Sequence, residues 1–312
     1  MNKEFEAICK MSQKELKKHL TKELVKTHGK AYVGNGYVYA QGTFPVLLVA
    51  HMDTVHEKLP NPVLFDVKNG TYSSPQGIGG DDRCGVYMIL QIIKRFNCSV
   101  LFCEDEEKGG IGAGKFIETT LAETLDFNYA IEFDRRGSND AVFYDCDNPD
   151  FTEFITREFY EKAYGSFSDI STLAPFFGCA AVNLSCGYYN AHSKQEYVVL
   201  SEMEASIEAA CKILERTTEE DRFEYIESKY SSSYKYGGNC SLYGYGWSGG
   251  ESGWYDAYEN VYYYIIEYTD ELGNIEWYET YASSEAEAVG RLMMAHPTLC
   301  YKNVTDVMFD GM

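Results

Sequence analysis

The chain has 312 residues, 45% hydrophobic and 24% charged, enough apolar content for one large α/β domain plus a smaller one and too much for general disorder. Against 48 Asp and Glu stand only 27 Lys and Arg, a formal charge of −21. That balance argues against nucleic acid and anionic membranes as partners, because both require a basic stripe, whereas bound metal cations would offset part of it.

The N-terminus MNKEFEAICKMSQKELKKHL alternates charged and apolar residues without the hydrophobic run of a secretory signal. No later run reaches membrane-spanning length, so a cytoplasmic protein is expected. Across residues 4–28, Phe5, Ile8, Met11, Leu16, Leu20, Leu24 and Val25 recur at helical spacing and predict an amphipathic helix or helix pair. The segment KAYVGNGYVYAQG then sets Asn35-Gly36 between β-favouring residues, a hairpin signal, and leads into a strand over Phe44–Ala50.

Beyond it the pattern predicts a helix over Gly85–Phe96, a strand over Ser99–Cys103, a helix over Gly112–Thr120 and a strand over Tyr129–Phe133. The strand Ala181–Ser185 and the helix Glu202–Arg216 close the series. Strands alternating with helices predict an α/β fold, a three-layer sandwich with a mixed, largely parallel central sheet and ligands at the strands' carboxyl ends. This catalytic domain is expected to span residues 1–220.

Residues 221–258 are rich in Gly, Ser and Tyr with no periodicity and read as a linker. Residues 259–312 read as strand, turn at Leu272-Gly273-Asn274, strand, helix Ser284–Ala295 and final strand. That is a small C-terminal α+β (ββαβ) accessory domain, whose tyrosines suit a protein partner or self-association. The ten cysteines are scattered through apolar strands without close metal-type pairs, and most of them are expected to be reduced, buried thiols.

Four acidic motifs follow strands or turns in order: HMD (51–53), GGDDRCG (79–85), EDEEKGG (104–110) and FDRRG (133–137). A fifth, YNAHSKQEY, holds His192. Each has a plain structural alternative: a solvated loop for His51 and Asp53, a helix cap for Asp81 or Asp82, a charged loop for Glu104–Glu107, a surface histidine for His192. Their joint occurrence, each beside a strand end, is what those alternatives leave unexplained. Two histidines with several carboxylates and no thiolate suit two divalent metal ions, zinc first, with manganese or cobalt as alternatives.

These motifs resemble those of the co-catalytic di-zinc exopeptidases related to peptidase T, carboxypeptidase G and the bacterial di-zinc aminopeptidases, over roughly residues 15–217. The resemblance implies His51, Asp81 and Asp134 around one metal and Asp81, Glu107 and His192 around the other, with Asp81 bridging. It also implies Asp53 as the group that orients His51 and Glu106 as general base toward a metal-activated water. EDEE itself offers three adjacent acidic pairs, and Glu132 shares a strand face with Asp134.

Many members of that superfamily carry a lid domain of about a hundred residues between the last two ligand motifs; the 135–191 segment is too short for one, so a lid-less enzyme is expected. The implied activity is zinc-dependent peptide hydrolysis, an aminopeptidase first, with an amide deacylase or carboxypeptidase-type hydrolase acting on N-acyl amino acids or small peptides as the alternative. The stretch SFSDISTLAPFFG resembles a segment preceding a helix in those enzymes, making Asp169 a candidate for a substrate amino group, with a helix cap as its alternative. Arg135 is a candidate for a substrate carboxylate, with an ion pair to a nearby acid as the alternative. His19, His28, His56 and His296 have no partner motif and are expected at the surface or on helices.

Overall fold

The computed structural model describes residues 2–165, 167–228, 262–269, 275–282 and 304–310, together with Leu292 and His296. The chain divides into two compact units, Met1–Tyr234 and Lys235–Met312.

The predicted opening helix is a pair, α1 (Lys3–Cys9) and α2 (Gln13–His28). The break falls where Ser12 caps α2: its hydroxyl accepts the Glu15 N–H while the Glu15 carboxylate accepts the Ser12 N–H. Gly29, at φ +76°, ends α2 in the left-handed conformation that glycine adopts without a Cβ clash. Leu16, Leu20 and Leu24 form the buried stripe of α2, each contributing about 1.5–3 kcal/mol by leaving water.

The first unit is built on an eight-stranded sheet. Its strands are β1 (Tyr32–Gly34), β2 (Tyr37–Ala40), β3 (Phe44–His51), β6 (Cys98–Cys103), β7 (Tyr129–Arg135), β8 (Asp140–Val142), β9 (Glu161–Ala163) and β10 (Ala181–Ser185). Their order is β1-β2-β6-β3-β7-β10-β8-β9. The central four run parallel, while β1 against β2, β2 against β6 and β10 against β8 are antiparallel. Asn35-Gly36 makes the expected two-residue connection, with Gly34 opposite Tyr37.

Central strands buried on both faces read as continuous apolar runs, and VLLVAH in β3 is entirely buried. One face of the sheet packs against α1, α2, α3 (Gly80–Ile92), α5 (Pro149–Thr156) and α7 (Leu200–Arg216), through Val46, Leu48 and Ala50 of β3 among others. The other packs against α4 (Ile111–Ile117) and α6 (Ile170–Phe177), through Leu47 and Val49. The result is the expected three-layer α/β fold. A second, four-stranded sheet lies beside it: β4 (Leu64–Asp66), β5 (Thr71–Ser73), β11 (Tyr188–Tyr189) and β12 (Tyr197–Val199), in order β11-β12-β5-β4.

Between β7 and β10 the chain builds β8, α5, β9 and α6 within this unit. Residues 221–228, within the expected linker, also belong here: Glu224 bridges to Cys179, Glu227 bridges to Cys146, and Phe223 packs on the core. Residues 229–258 of that linker lie outside the described residues. Eight cysteines are described, all free and buried, as expected. Among the described residues no helix is long and apolar enough to cross a membrane.

The second unit holds an antiparallel three-stranded sheet, β13 (Tyr262–Thr269), β14 (Ile275–Ala282) and β15 (Val304–Asp310), in order β14-β13-β15. The expected turn at Leu272-Gly273-Asn274 and the span of the expected helix Ser284–Ala295 fall outside the described residues, Leu292 excepted.

Candidate metal centre

The carboxyl ends of β3, β6 and β7 lie side by side, and each delivers one of the sequence-predicted groups. His51 is the last residue of β3 and is fully buried. Asp134 sits near the end of β7, and Glu106 and Glu107 begin the short turn after β6. Asp81 comes from the start of α3, and His192 from the loop between β11 and β12.

These groups converge. His51 Nε2 lies 3.1 Å from Asp81 Oδ1 and 3.3 Å from Asp134 Oδ1. His192 Nε2 lies 3.2 Å from Asp81 Oδ2 and 3.1 Å from both carboxylate oxygens of Glu107. One oxygen of Asp81 thus faces each histidine. Within each group, His51–Asp81–Asp134 and Asp81–Glu107–His192, the ligand-type atoms all lie within 4.8 Å of one another.

Asp53 lies behind His51, with Oδ1 3.3 Å from Nδ1. It also accepts the backbone N–H groups of Glu106 (3.1 Å) and Glu107 (3.2 Å). Asp82 stands outside both groups: its Oδ2 accepts the His51 N–H (3.2 Å) and its Oδ1 the Gly85 N–H (2.8 Å), which ties the end of β3 to α3. Of the four acids in EDEE, Glu104 pairs with Lys17 and Asp105 with Lys108, leaving the next two for the centre.

Asp134 is braced on three sides. Its N–H donates to Asn183 Oδ1 (2.8 Å), Ser168 Oγ donates to its Oδ2 (2.9 Å), and the Tyr188 hydroxyl donates to its carbonyl (3.1 Å). Glu132, two residues earlier, points to the same sheet face but stands outside both groups of close ligand atoms.

The electrostatics are those of crowded acids. Burial and the Asp81 charge push Asp134 up to about 7, and burial, with Asp134, Asp169 and Glu132 adding, pushes Glu106 up to about 10. Burial acts against it, yet His192 and His51 hold Asp81 well below the usual carboxylate range. The Asp81 and Glu107 carboxylates raise His192 to about 11. Burial opposes charge on His51, but Asp134, Asp53 and Asp81 outweigh it and raise it well above its ordinary value.

Imidazole and carboxylate donors without a thiolate form a set suited to zinc, manganese or cobalt, and divalent charge would relieve the repulsion that lifts Asp134 and Glu106. The donor set therefore fits two such ions sharing Asp81.

Asp169 immediately precedes α6, and its side chain makes no cap hydrogen bond. Its carboxylate is fully buried against the Cys103 thiol, with neither oxygen held by a nitrogen or hydroxyl donor, and burial raises it to about 6. Arg135 is engaged by Asp140, with Nη2 at 3.0 Å and Nε at 3.1 Å from one carboxylate oxygen.

His56 departs from expectation. Its side chain is largely buried, with Nε2 2.7 Å from Oε2 of the fully buried Glu196. Nothing near His56 in the sequence signals this, because its partner lies 140 positions later. Glu196 itself stands in the quoted YNAHSKQEY segment, four residues after His192.

No protein-family model matches the chain, and no curated protein matches it. Solved structures do. The crystal structure of aminopeptidase PepT from Bacillus cereus ATCC 10987 superposes at a TM-score of 0.57 and 15% identity, covering 68% of this chain and 96% of that one. An aminopeptidase from the archaeon Desulfurococcus kamchatkensis gives 0.53 at 15% identity, covering 69% and 95%. A tripeptidase from Staphylococcus aureus subsp. aureus mu50 gives 0.52 at 12%, covering 67% and 95%. At such identities the likeness is one of architecture: the chain has the α/β fold seen in these aminopeptidase and tripeptidase structures.

Proposed function

We propose that the protein is a metal-dependent hydrolase of peptide bonds, an aminopeptidase that releases N-terminal residues from peptides. The observation that carries this reading is Asp81, whose two oxygens are divided between two histidines, each histidine accompanied by a further carboxylate. In this reading His51, Asp81 and Asp134 hold one divalent ion, and Asp81, Glu107 and His192 hold the other. Bound there, the ions would supply Lewis acidity, acidifying a water and polarising the scissile carbonyl.

The chain's own groups do the rest. Glu106 stands outside both ligand groups and, with divalent charge beside it to ionise its raised carboxyl, can accept the water's proton and pass it to the leaving nitrogen. Asp53 fixes the His51 ring through Nδ1 and holds the turn that carries Glu106. Asp169, buried against the Cys103 thiol with neither oxygen held by a nitrogen or hydroxyl donor, suits a substrate ammonium, which an N-acyl amino acid lacks, and this favours the aminopeptidase over the deacylase. The architecture shared with aminopeptidase and tripeptidase structures supports the same substrate class.

The test is a panel of unblocked peptides against N-acyl amino acids, run with zinc, manganese and cobalt after chelator treatment. Turnover of unblocked peptides restored by metal is expected. Turnover of acylated substrates alone would sink the aminopeptidase assignment.

A further inference from the structure

The bridging position asks most of Asp81, and the local chain does little to fix it. Gly79 is left-handed (φ 68°), Asp81 and Asp82 are non-helical (φ −82°, ψ 102° and φ −117°, ψ 48°), and no side chain at Gly79 caps α3. The N–H groups at a helix start need partners from elsewhere.

Glu196 supplies them. Its Oε2 accepts the Gly79 N–H (2.7 Å) and its Oε1 accepts the Asp81 N–H (3.0 Å), straddling Gly80. The approach is close, since a Cβ on Gly80 would meet Val198 Cγ2 at 2.7 Å and Tyr188 Cβ at 2.8 Å. A fully buried carboxylate also needs hydrogen-bond donors for its oxygens, and His56 Nε2 donates to Oε2 at 2.7 Å. The His56 ring in turn occupies the space beside Gly77, where any Cβ would lie 2.1 Å from it.

We propose that Glu196, braced by His56, is the positioning residue for the bridging carboxylate. It stands on the loop that also delivers His192 and fixes the backbone of Asp81, so one loop sets both the late histidine and the group it must meet. This rests on the metal centre proposed above. Glutamate is required because a glutamine has one carbonyl oxygen; its amide NH₂ would face either the Gly79 or the Asp81 N–H, donor against donor.

The test is zinc titration of the full-length, metal-free protein by chelator competition, for wild type, Glu196→Gln, His56→Gln and the control Glu202→Gln on the far side of β11. Wild type should take up two zinc ions. Glu196→Gln should weaken the looser site by roughly 10–100-fold. His56→Gln, which keeps a donor toward Glu196, should lose less, and Glu202→Gln nothing. Thermal unfolding of each metal-free protein separates a positioning role from a purely structural one. Unchanged zinc affinity in both Glu196→Gln and His56→Gln, whatever their melting temperatures, overturns the inference. Should Glu196→Gln fail to fold, His56→Gln alone decides by the same criterion. No zinc uptake by wild type overturns the metal centre itself, and the positioning role with it.

Discussion

Asp53 Oδ1 stands 3.3 Å from His51 Nδ1 and accepts the Glu106 N–H at 3.1 Å, so one carboxylate aims the first candidate ligand and anchors the candidate base. Asp53→Asn keeps the volume but turns an amide NH₂ toward one of these donors. Zinc affinity should fall roughly 10–100-fold, since groups that orient ligating histidines carry about that weight. Chelator competition measures it; wild-type affinity in Asp53→Asn would remove the orienting role.

Glu106 and Glu107 are adjacent in sequence but divided in space, Glu107 against His192 and Glu106 toward Asp134, Asp169 and Glu132. The expected consequence is a split between metal content and rate. Glu106→Gln should retain two zinc ions while kcat drops by about 10²–10⁴. Glu107→Gln should lose zinc as well. Elemental analysis beside initial rates distinguishes them, and metal loss in Glu106→Gln would move that residue into the ligand set.

Protons and metal compete for the same atoms. In the metal-free protein the carboxylates raise His51 well above its ordinary value and His192 to about 11, so both carry protons at neutral pH. Because these folded values exceed the unfolded one, the resulting stabilisation of the metal-free fold is fully present below about pH 6.5 and is lost as pH rises through the folded values. Zinc must displace those protons. Calorimetry in buffers of different ionisation enthalpy should therefore register release of at least two protons per protein near neutral pH, two from the imidazoles and more from Asp134 and Glu106, with apparent zinc affinity falling as pH falls. Uptake without proton release would contradict ligation by the two imidazoles.

Asp169 offers a sharper test of substrate class. The helix-cap alternative requires a side-chain hydrogen bond to α6, and none is made. With both oxygens buried and neither held by a nitrogen or hydroxyl donor, Asp169→Asn should raise KM for unblocked peptides by roughly 10–100-fold, the weight of a hydrogen bond to a charged group, and weaken inhibition by free amino acids equally. Zinc affinity should not change. Unaltered competition by free amino acids would exclude ammonium binding at Asp169.

What sequence made legible was whatever local periodicity encodes. The runs in β3, β6, β7 and β10 and the stripes of α2 and α7 identify the layers, and the motifs at the strand ends identify the residues that converge. Elements of two or three residues, such as β4, β5, β11 and β12, are too short to show a period, so the second sheet was invisible. α5 was readable in principle: Asn148 caps it, Pro149 opens it, and Phe151, Phe154 and Ile155 follow helical spacing. The His56–Glu196 contact could not be read, because its partners are brought together only by the hairpin that carries His192.

Asp82 gives a test of the frame itself. Fully buried, it joins the His51 N–H at 3.2 Å to the Gly85 N–H at 2.8 Å, so the strand that ends in one candidate ligand is tied to the helix that begins with another. Asp82→Ala leaves two buried donors unpaired, at about 1–3 kcal/mol each, against which the removal of a carboxyl crowded by burial and Asp134 gives some relief. A net destabilisation of roughly 2–4 kcal/mol is therefore expected in urea unfolding of the metal-free protein, with an unchanged m-value. Asp82→Asn retains one acceptor and should lose less. Because the tie holds His51 against α3, zinc affinity should weaken in the same order, and full stability in Asp82→Ala would show that β3 and α3 hold their register without it.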